Sequence, residues 1–216
     1  MTDISSADSP SLTGKGRETR QRIIDAAAEL VFERGVAAVS LDDVLRATNT
    51  SKSQLYHYFG DKNDLIHAVI ERQREQVLGF HRPALTSLSS WDDIQCWRDM
   101  IVDTQAVRAC RYGCPLGSLV NELAELDEFA RAQLSDAFAI WEQMLADGLA
   151  GMVEAGKLQA DANAADLALS VIASLQGGLL LAEVDRNTHP LEIALDAAIA
   201  HLKSFASPSR PDDEPR

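Results

Sequence analysis

Ser40-Leu-Asp-Asp-Val-Leu-Arg-Ala-Thr-Asn-Thr-Ser-Lys-Ser-Gln-Leu-Tyr-His-Tyr-Phe-Gly-Asp-Lys62 is the stretch whose reading decides the fold. It carries two helix starts. Ser40 stands three residues before Asp43, so its hydroxyl can cap a helix while the carboxylate sits in the first turn. Ser51 stands three residues before Gln54, a full capping-box pattern. Between them, Thr48-Asn49-Thr50 is a run of poor helix formers whose side chains compete for backbone hydrogen bonds and favour a turn. Leu41, Val44 and Leu45 give the first helix an apolar face; Leu55, Tyr58 and Phe59 do the same for the second. Two short helices joined by a tight polar turn read as a helix-turn-helix.

With Leu55 and Phe59 turned inward, the second helix carries Lys52, Ser53, Gln54, Tyr56 and His57 on its first turn and outer face. That set supplies one cation for phosphate, hydroxyl and amide groups for base edges or phosphate, and amphipathic aromatics that reach a DNA backbone.

These residues carry a resemblance. Ser51-Lys-Ser-Gln-Leu-Tyr-His-Tyr-Phe59, followed by Asp61-Lys62 and Leu65, resembles the recognition helix of TetR/AcrR-type transcriptional repressors, over about residues 17–80. Ala47-Thr48-Asn49-Thr50 departs from the family's usual Ala-Ala-Gly-Val. Asn49 replaces the turn glycine and is the next-best residue for a left-handed backbone. Thr50 replaces an apolar residue that normally packs inside. The resemblance implies an operator-binding role. Lys52, Ser53, Gln54, Tyr56 and His57 are then expected in or beside the major groove, with Gln54 the best candidate for bidentate readout of adenine. Ser40, Thr50, Tyr58 and Lys62 are expected to hold phosphates, assisted by Arg17 and Arg20.

Around this motif the chain reads as all-α: Ala and Leu abound, β-branched runs are scarce, and apolar residues recur every three or four positions. Residues 1–15 read as a disordered tail, 16–62 as the DNA-binding domain, 63–206 as a helical ligand-binding and dimerisation domain, and 207–216 as a loose tail. Lys15, Arg17, Arg20 and Arg22 cluster where the first tail meets helix 1, as a solvated helix start or as a basic arm against phosphates or the minor groove. Helix 1 runs from about Arg17 to Arg34, with Gly35 as its C-cap. Helix 4 is capped by Asp61 and runs to about Phe80, where His81-Arg-Pro83 reads as a break. Five further helices follow, beginning near Ser90, Cys114, Asp127, Ala164 and Pro190. Nine helices in this order are similar to the TetR architecture, and Gly113-Cys-Pro-Leu-Gly-Ser-Leu-Val-Asn-Glu-Leu123 resembles the C-terminal domain of LmrA/YxaF-like members.

The net charge of −13 looks wrong for a DNA binder until it is divided. Residues 11–62 hold eight Lys/Arg against seven acids, whereas residues 63–216 hold 12 against 24. An acidic body repels DNA and orients the one tolerable face toward it. No apolar run approaches the ~20 residues of a membrane span, and Met1–Thr13 lacks the apolar core of a signal peptide. The expected location is the cytoplasm, with no membrane partner.

In helix 8, Ala168, Ser170, Ala173, Ser174, Gly177 and Gly178 form a small-residue stripe. Two interior glycines cost roughly 1 kcal/mol each relative to Ala, so close helix packing must recover it. Either an intramolecular core or a homodimer through helices 8 and 9 (about 164–205) does so. A helix-turn-helix monomer reads only one half-site, so a dimer on a palindromic double-stranded operator is the favoured reading.

Trp97, Met100, Phe138, Trp141 and Met144 are plain core one by one. Collectively they can wall an apolar cavity in which Gln105, Asn121 or Gln176 orients a small-molecule effector, and the resemblance implies a ligand site in this region. Cys114, before Pro115 at a helix start and near Arg108 and Arg111, is either a small filler or a thiolate-prone sensor with Cys110 as resolving thiol. Cys96 reads as inert core. No metal site or cofactor motif is seen, and no Gly-rich phosphate loop, Gly-x-Ser-x-Gly or His-Glu-x-x-His. The expectation is a ligand-responsive homodimeric repressor. A thiol-based repressor acting through Cys114 is one alternative; a helical enzyme or interaction module with a decayed helix-turn-helix is another.

Overall fold

A computed structural model of the chain describes residues 13–208. Among them are nine α-helices: α1 (Gly14–Arg34), α2 (Leu41–Thr48), α3 (Lys52–Tyr58), α4 (Lys62–Thr86), α5 (Trp91–Val107), α6 (Pro115–Leu123), α7 (Glu128–Glu154), α8 (Ala164–Asp185) and α9 (His189–Ser204). Extended pairing among the described residues is limited to the isolated bridge Leu158–Ala206. The all-α, nine-helix architecture read from the sequence is the one observed. Most of residues 1–15 and 207–216, read as tails, lies outside the described residues. Where it does not, two details differ. Gly14 and Lys15 already belong to α1, whose first turn Thr13 caps through Gly16 N–H at 3.2 Å. At the other end, Ser207 N–H donates to the Lys157 carbonyl at 3.0 Å.

The chain divides into two compact units, up to Arg72 and from Gln73, with the boundary inside α4. In the first, α1 packs on α2 and α3. Its core is Ile23, Ile24, Ala27, Ala28, Val31, Val39, Val44, Leu55, Phe59, Leu65, Ile66, Val69 and Ile70. Both short helices are fixed at their starts by reciprocal capping boxes. Asp43 N–H donates to Ser40 Oγ at 3.2 Å while Ser40 N–H donates to the Asp43 carboxylate at 2.9 Å. Gln54 N–H donates to Ser51 Oγ at 3.2 Å and Ser51 N–H returns to Gln54 Oε1 at 3.1 Å. The Ser40 hydrogen bonds hold the Asp43 carboxyl below its usual range, with Arg46 and Arg34 adding smaller pulls. At the turn, Asn49 takes the left-handed conformation (φ 50°, ψ 43°) that its substitution for glycine requires.

Helix α4 opens as expected, with Asp64 N–H donating to Asp61 Oδ1 at 2.9 Å. It does not stop near Phe80. It continues through Pro83 to Thr86. Proline forfeits one backbone hydrogen bond there. Burial of Val77, Leu78, His81 and Leu85 offsets that loss, and Thr86 and Ser87 return their hydroxyls to the Arg82 and Pro83 carbonyls at 2.8 and 3.0 Å.

In the second unit the dominant packing is α8 on α9, then α7 on α8, with α6 on α7 and α5 on α9. The two glycines of α8 separate in role. A Cβ on Gly178 would sit 3.0 Å from both the Leu191 Cα and the Ala194 Cβ, so this glycine sets the close approach of α9. Gly177 faces open space. Helix α8 is, by length and composition, apolar enough to cross a membrane, which the sequence reading had not noticed. Here it is a packed helix: Leu167, Ala168, Val171, Ile172, Leu175, Gly178, Leu179 and Ala182 are buried. Phe129, Leu169 and Ile193, by contrast, lie exposed.

Gly178→Ala should therefore destabilise the protein by about 1–3 kcal/mol through overpacking against the α9 backbone. A denaturant melt beside Gly177→Ala, where the added methyl meets nothing within the chain, checks this.

Candidate functional site

Helix α3 exists because its two inward residues are anchored: Leu55 is fully buried and Phe59 nearly so. That leaves Lys52, Ser53, Gln54, Tyr56 and His57 exposed on one short helix, with Tyr58 half-buried at its end. The exposed groups are loosely organised by one another. Lys52 Nζ lies 5.9 Å from the Tyr56 ring centroid, and His57 meets Tyr58 edge-on at 5.0 Å. Arg17 is exposed on α1. Arg20, half-buried, places its guanidinium 5.3 Å over the Phe59 ring, which ties the α1 start to the end of α3.

Several of the phosphate and base candidates are committed elsewhere. Thr50 is buried, and its hydroxyl donates to the Thr48 carbonyl at 3.4 Å; it fills the inward position that an apolar residue would occupy. The Ser40 hydroxyl is bound into the α2 cap with Asp43. Lys62 Nζ donates to the Val36 carbonyl at 2.8 Å, so it pins the α1–α2 connection. Gln54 uses Oε1 in its own capping box. Bidentate recognition of adenine needs the amide oxygen to accept from N6 while the nitrogen donates to N7. With the oxygen capping, only the Nε2 donor is free for N7, which both purines carry.

In the second unit the residues proposed for a ligand are partly brought together. Trp97 and Trp141 are fully buried, and His81 joins them. Trp97 Nε1 donates to His81 Nδ1 at 3.1 Å, and the imidazole lies 4.3 Å from the Trp141 ring centroid at 31°. Phe138 stacks on Trp141 at 6.1 Å and 21°. Burial pushes the His81 pKa down to about 3, so the ring is neutral. The sequence reading missed His81 because Pro83 suggested a helix break; with α4 continuous, His81 sits one turn from Leu85 on a buried face. Gln105 is buried, Met100, Met144 and Gln176 are half-buried, and Asn121 is exposed.

The thiols do not sit as expected. Cys114 does cap α6, its Sγ accepting from Gly117 N–H at 3.5 Å. But it is buried, and burial pushes its thiol up against the weaker pull of the Gly117, Gln176 and Leu116 hydrogen bonds. Burial likewise raises Cys110, whose carbonyl accepts from Arg186 at 3.1 Å. The helix field does not produce a thiolate here, and Arg108 and Arg111 are exposed. Cys96, read as core, is exposed. No group of three or more His, Cys, Asp or Glu able to hold a metal occurs among the described residues.

Comparison with known proteins agrees with this geometry. Residues 23–69 match the bacterial regulatory proteins of the tetR family, and residues 91–197 match the C-terminal domain of the LmrA/YxaF-like transcriptional regulators. An uncharacterized HTH-type transcriptional regulator in the lacX 3′ region of Lactococcus lactis is 32% identical over 83% of this chain and 91% of its own length. The chain belongs to the TetR family of transcriptional regulators. Transcriptional regulator AcuR from Cereibacter sphaeroides, another relative, is 28% identical over 79% of each chain. Among solved structures, a regulatory protein TetR from Rhodobacter sphaeroides superposes with a TM-score of 0.76 at 26% identity, over 85% of this chain and 98% of that one. A TetR transcriptional regulator from Chloroflexus aurantiacus shares the fold at a TM-score of 0.80 and 24% identity, over 91% of this chain and 100% of that one. This TetR-family chain is a DNA-binding transcriptional regulator of the repressor type, not an enzyme.

Two outcomes follow from the site. Gln54→Glu keeps the capping oxygen and removes the donor, so it should leave thermal stability nearly unchanged while weakening specific DNA binding about 5- to 50-fold; melting curves and binding isotherms on the same preparation test both halves. His81 stays neutral in the folded chain but titrates near 6.5 when unfolded. Stability should therefore be fully present above pH 6.5 and fall by up to about 1.4 kcal/mol per pH unit as pH drops toward the folded pKa. Urea melts from pH 7 to 4 should show that slope in the native chain and a shallower one in His81→Gln.

Proposed function

We propose that this TetR-family regulator acts as a homodimer that reads a palindromic operator through α3 and is released from it by a small apolar or aromatic effector bound in the helical unit. The observation that carries the DNA reading is the division of α3 into buried anchors and a wholly exposed polar face. Lys52, Ser53, Tyr56 and His57 face the groove, with the Gln54 Nε2 donor for a purine N7. Tyr58, Lys62, Arg17 and Arg20 contribute at the phosphates, whereas Thr50 and the Ser40 hydroxyl serve the turn and the α2 cap.

The dimer rests on α8 and α9. Leu169, Ala173, Gly177, Leu180, Leu181 and Val184 recur at three- and four-residue spacing on α8 and are all exposed, and exposed Ile193 lies on α9. Five of these are large or branched apolar side chains, a continuous stripe rather than scattered exposure, and such stripes mark association surfaces. A second copy of the chain fits it by symmetry and supplies the second half-site reader.

Effector response runs through α4 in this reading. That one helix starts at Lys62, next to α3, and carries His81 of the aromatic cluster. A ligand against His81 that prefers one position of α4 would alter the separation of the two α3 helices. Derepression can use no more free energy than the ligand's preference between the two states. Such a regulator works where the DNA is, in the cytoplasm.

Selection of random duplexes on the purified chain at about physiological salt should enrich one palindrome with half-sites ~34–36 Å apart, one helical turn or a multiple. Lys52→Ala should weaken binding to all sequences and lower the salt slope by about 1. Leu181→Glu should yield monomers in sedimentation and lose the palindrome. Enrichment of no motif, with weak and steeply salt-dependent binding alone, would sink the reading.

A further inference from the structure

Trp141 Nε1, buried in the helical unit, has no hydrogen-bond acceptor among the described residues. Buried N–H groups are almost always paired, because a dry one forfeits the hydrogen bond it made to water. An orphaned donor in a folded core therefore asks for a water or a ligand oxygen. The Trp141 ring lies 4.3 Å from the His81 ring and 6.1 Å from the Phe138 ring, centroid to centroid, and His81 is itself oriented by the Trp97 N–H on Nδ1. In that neutral imidazole the proton resides on Nε2, so His81 too is a donor at its remaining nitrogen. The buried polar side chains of this unit, among the described residues, are Gln73, His81 and Gln105, with no lysine or arginine.

Resting on the effector reading above, we propose that the effector is a neutral, largely apolar compound with a carbonyl oxygen that accepts the Trp141 Nε1–H. A hydrocarbon of equal size leaves that donor orphaned. An amine sets its own donors against it. A carboxylate accepts the hydrogen bond but pays for burying a charge that no cation offsets. Half-buried Phe138 and Met144, each one turn from Trp141 on α7, supply apolar contact for the rest of the molecule.

The test compares four probes of similar size on the full chain by calorimetry: acetophenone, ethylbenzene, benzylamine and benzoate. The same series is run on Trp141→Phe, which keeps an aromatic ring and removes the N–H. The native chain should bind acetophenone about 5- to 20-fold more tightly than ethylbenzene, as expected for one well-formed buried hydrogen bond, with benzylamine and benzoate weaker than acetophenone. In Trp141→Phe the ketone preference should fall to about unity. The melting temperature of the ligand-free variant should fall, because the smaller ring leaves a cavity in the core, so the ketone preference and not the melt reads the N–H. Equal affinity for acetophenone and ethylbenzene in the native chain would overturn the proposal. So would a Trp141→Phe variant that keeps the ketone preference, since the N–H would then not be the group that reads the carbonyl. Operator binding is followed on the same samples. A chain that binds its operator but takes none of the probes refutes the carbonyl proposal and leaves the regulator reading standing. A chain with the ketone preference but no sequence-specific DNA binding supports the carbonyl proposal and sinks the regulator reading.

Discussion

A helix of seven residues does not persist alone in water, because nucleation costs more than so few backbone hydrogen bonds return. Helix α3 is therefore a product of what holds it: burial of Leu55 and Phe59 at one face and the Ser51–Gln54 capping box at its start. Burial of two such side chains is worth about 1.5–3 kcal/mol each, and a cap about 1 kcal/mol. Those terms leave Lys52, Ser53, Tyr56 and His57 on the outer face without a capping or packing duty. Arg20 over the Phe59 ring couples the same anchor to α1. The exposed row of Lys52, Ser53, Tyr56 and His57 is possible only because the inward residues carry the stability.

The cost of that economy is visible in the polar side chains. Ser40, Thr50, Gln54 and Lys62 all look like DNA ligands by type, and all spend an atom on the fold: a cap, a turn carbonyl, a cap again, and the Val36 carbonyl. A short recognition element has few residues, so each does two jobs or is withdrawn from one. The acidic remainder of the chain fits the same division, since charge repulsion outside this face favours one docking orientation.

Much of this was legible in the sequence, for identifiable reasons. Local signals were read correctly where they are local in cause: the Ser51 box, the Asn49 left-handed turn, the Asp61 start of α4 and the helical periodicities. Long-range packing was not legible. Pro83 is a strong local stop signal, yet α4 passes through it because its neighbours are buried, and that error concealed His81. Cys114 has the helix-start signature of a reactive thiol, but burial outweighs the helix field. The glycine pair of α8 read as one stripe, whereas the turn of the helix sends Gly178 against α9 and Gly177 outward.

In the function proposed above, DNA is read by the outward face of α3. A photo-crosslinking residue placed at Ser53, exposed on that face, tests it against the same residue at Ser135, exposed on α7. Efficient cross-links are expected from position 53 to bases in the major groove of both half-sites of the selected duplex, and none from position 135. Cross-links of equal yield from both positions, or none from position 53 to a duplex that is demonstrably bound, would contradict it.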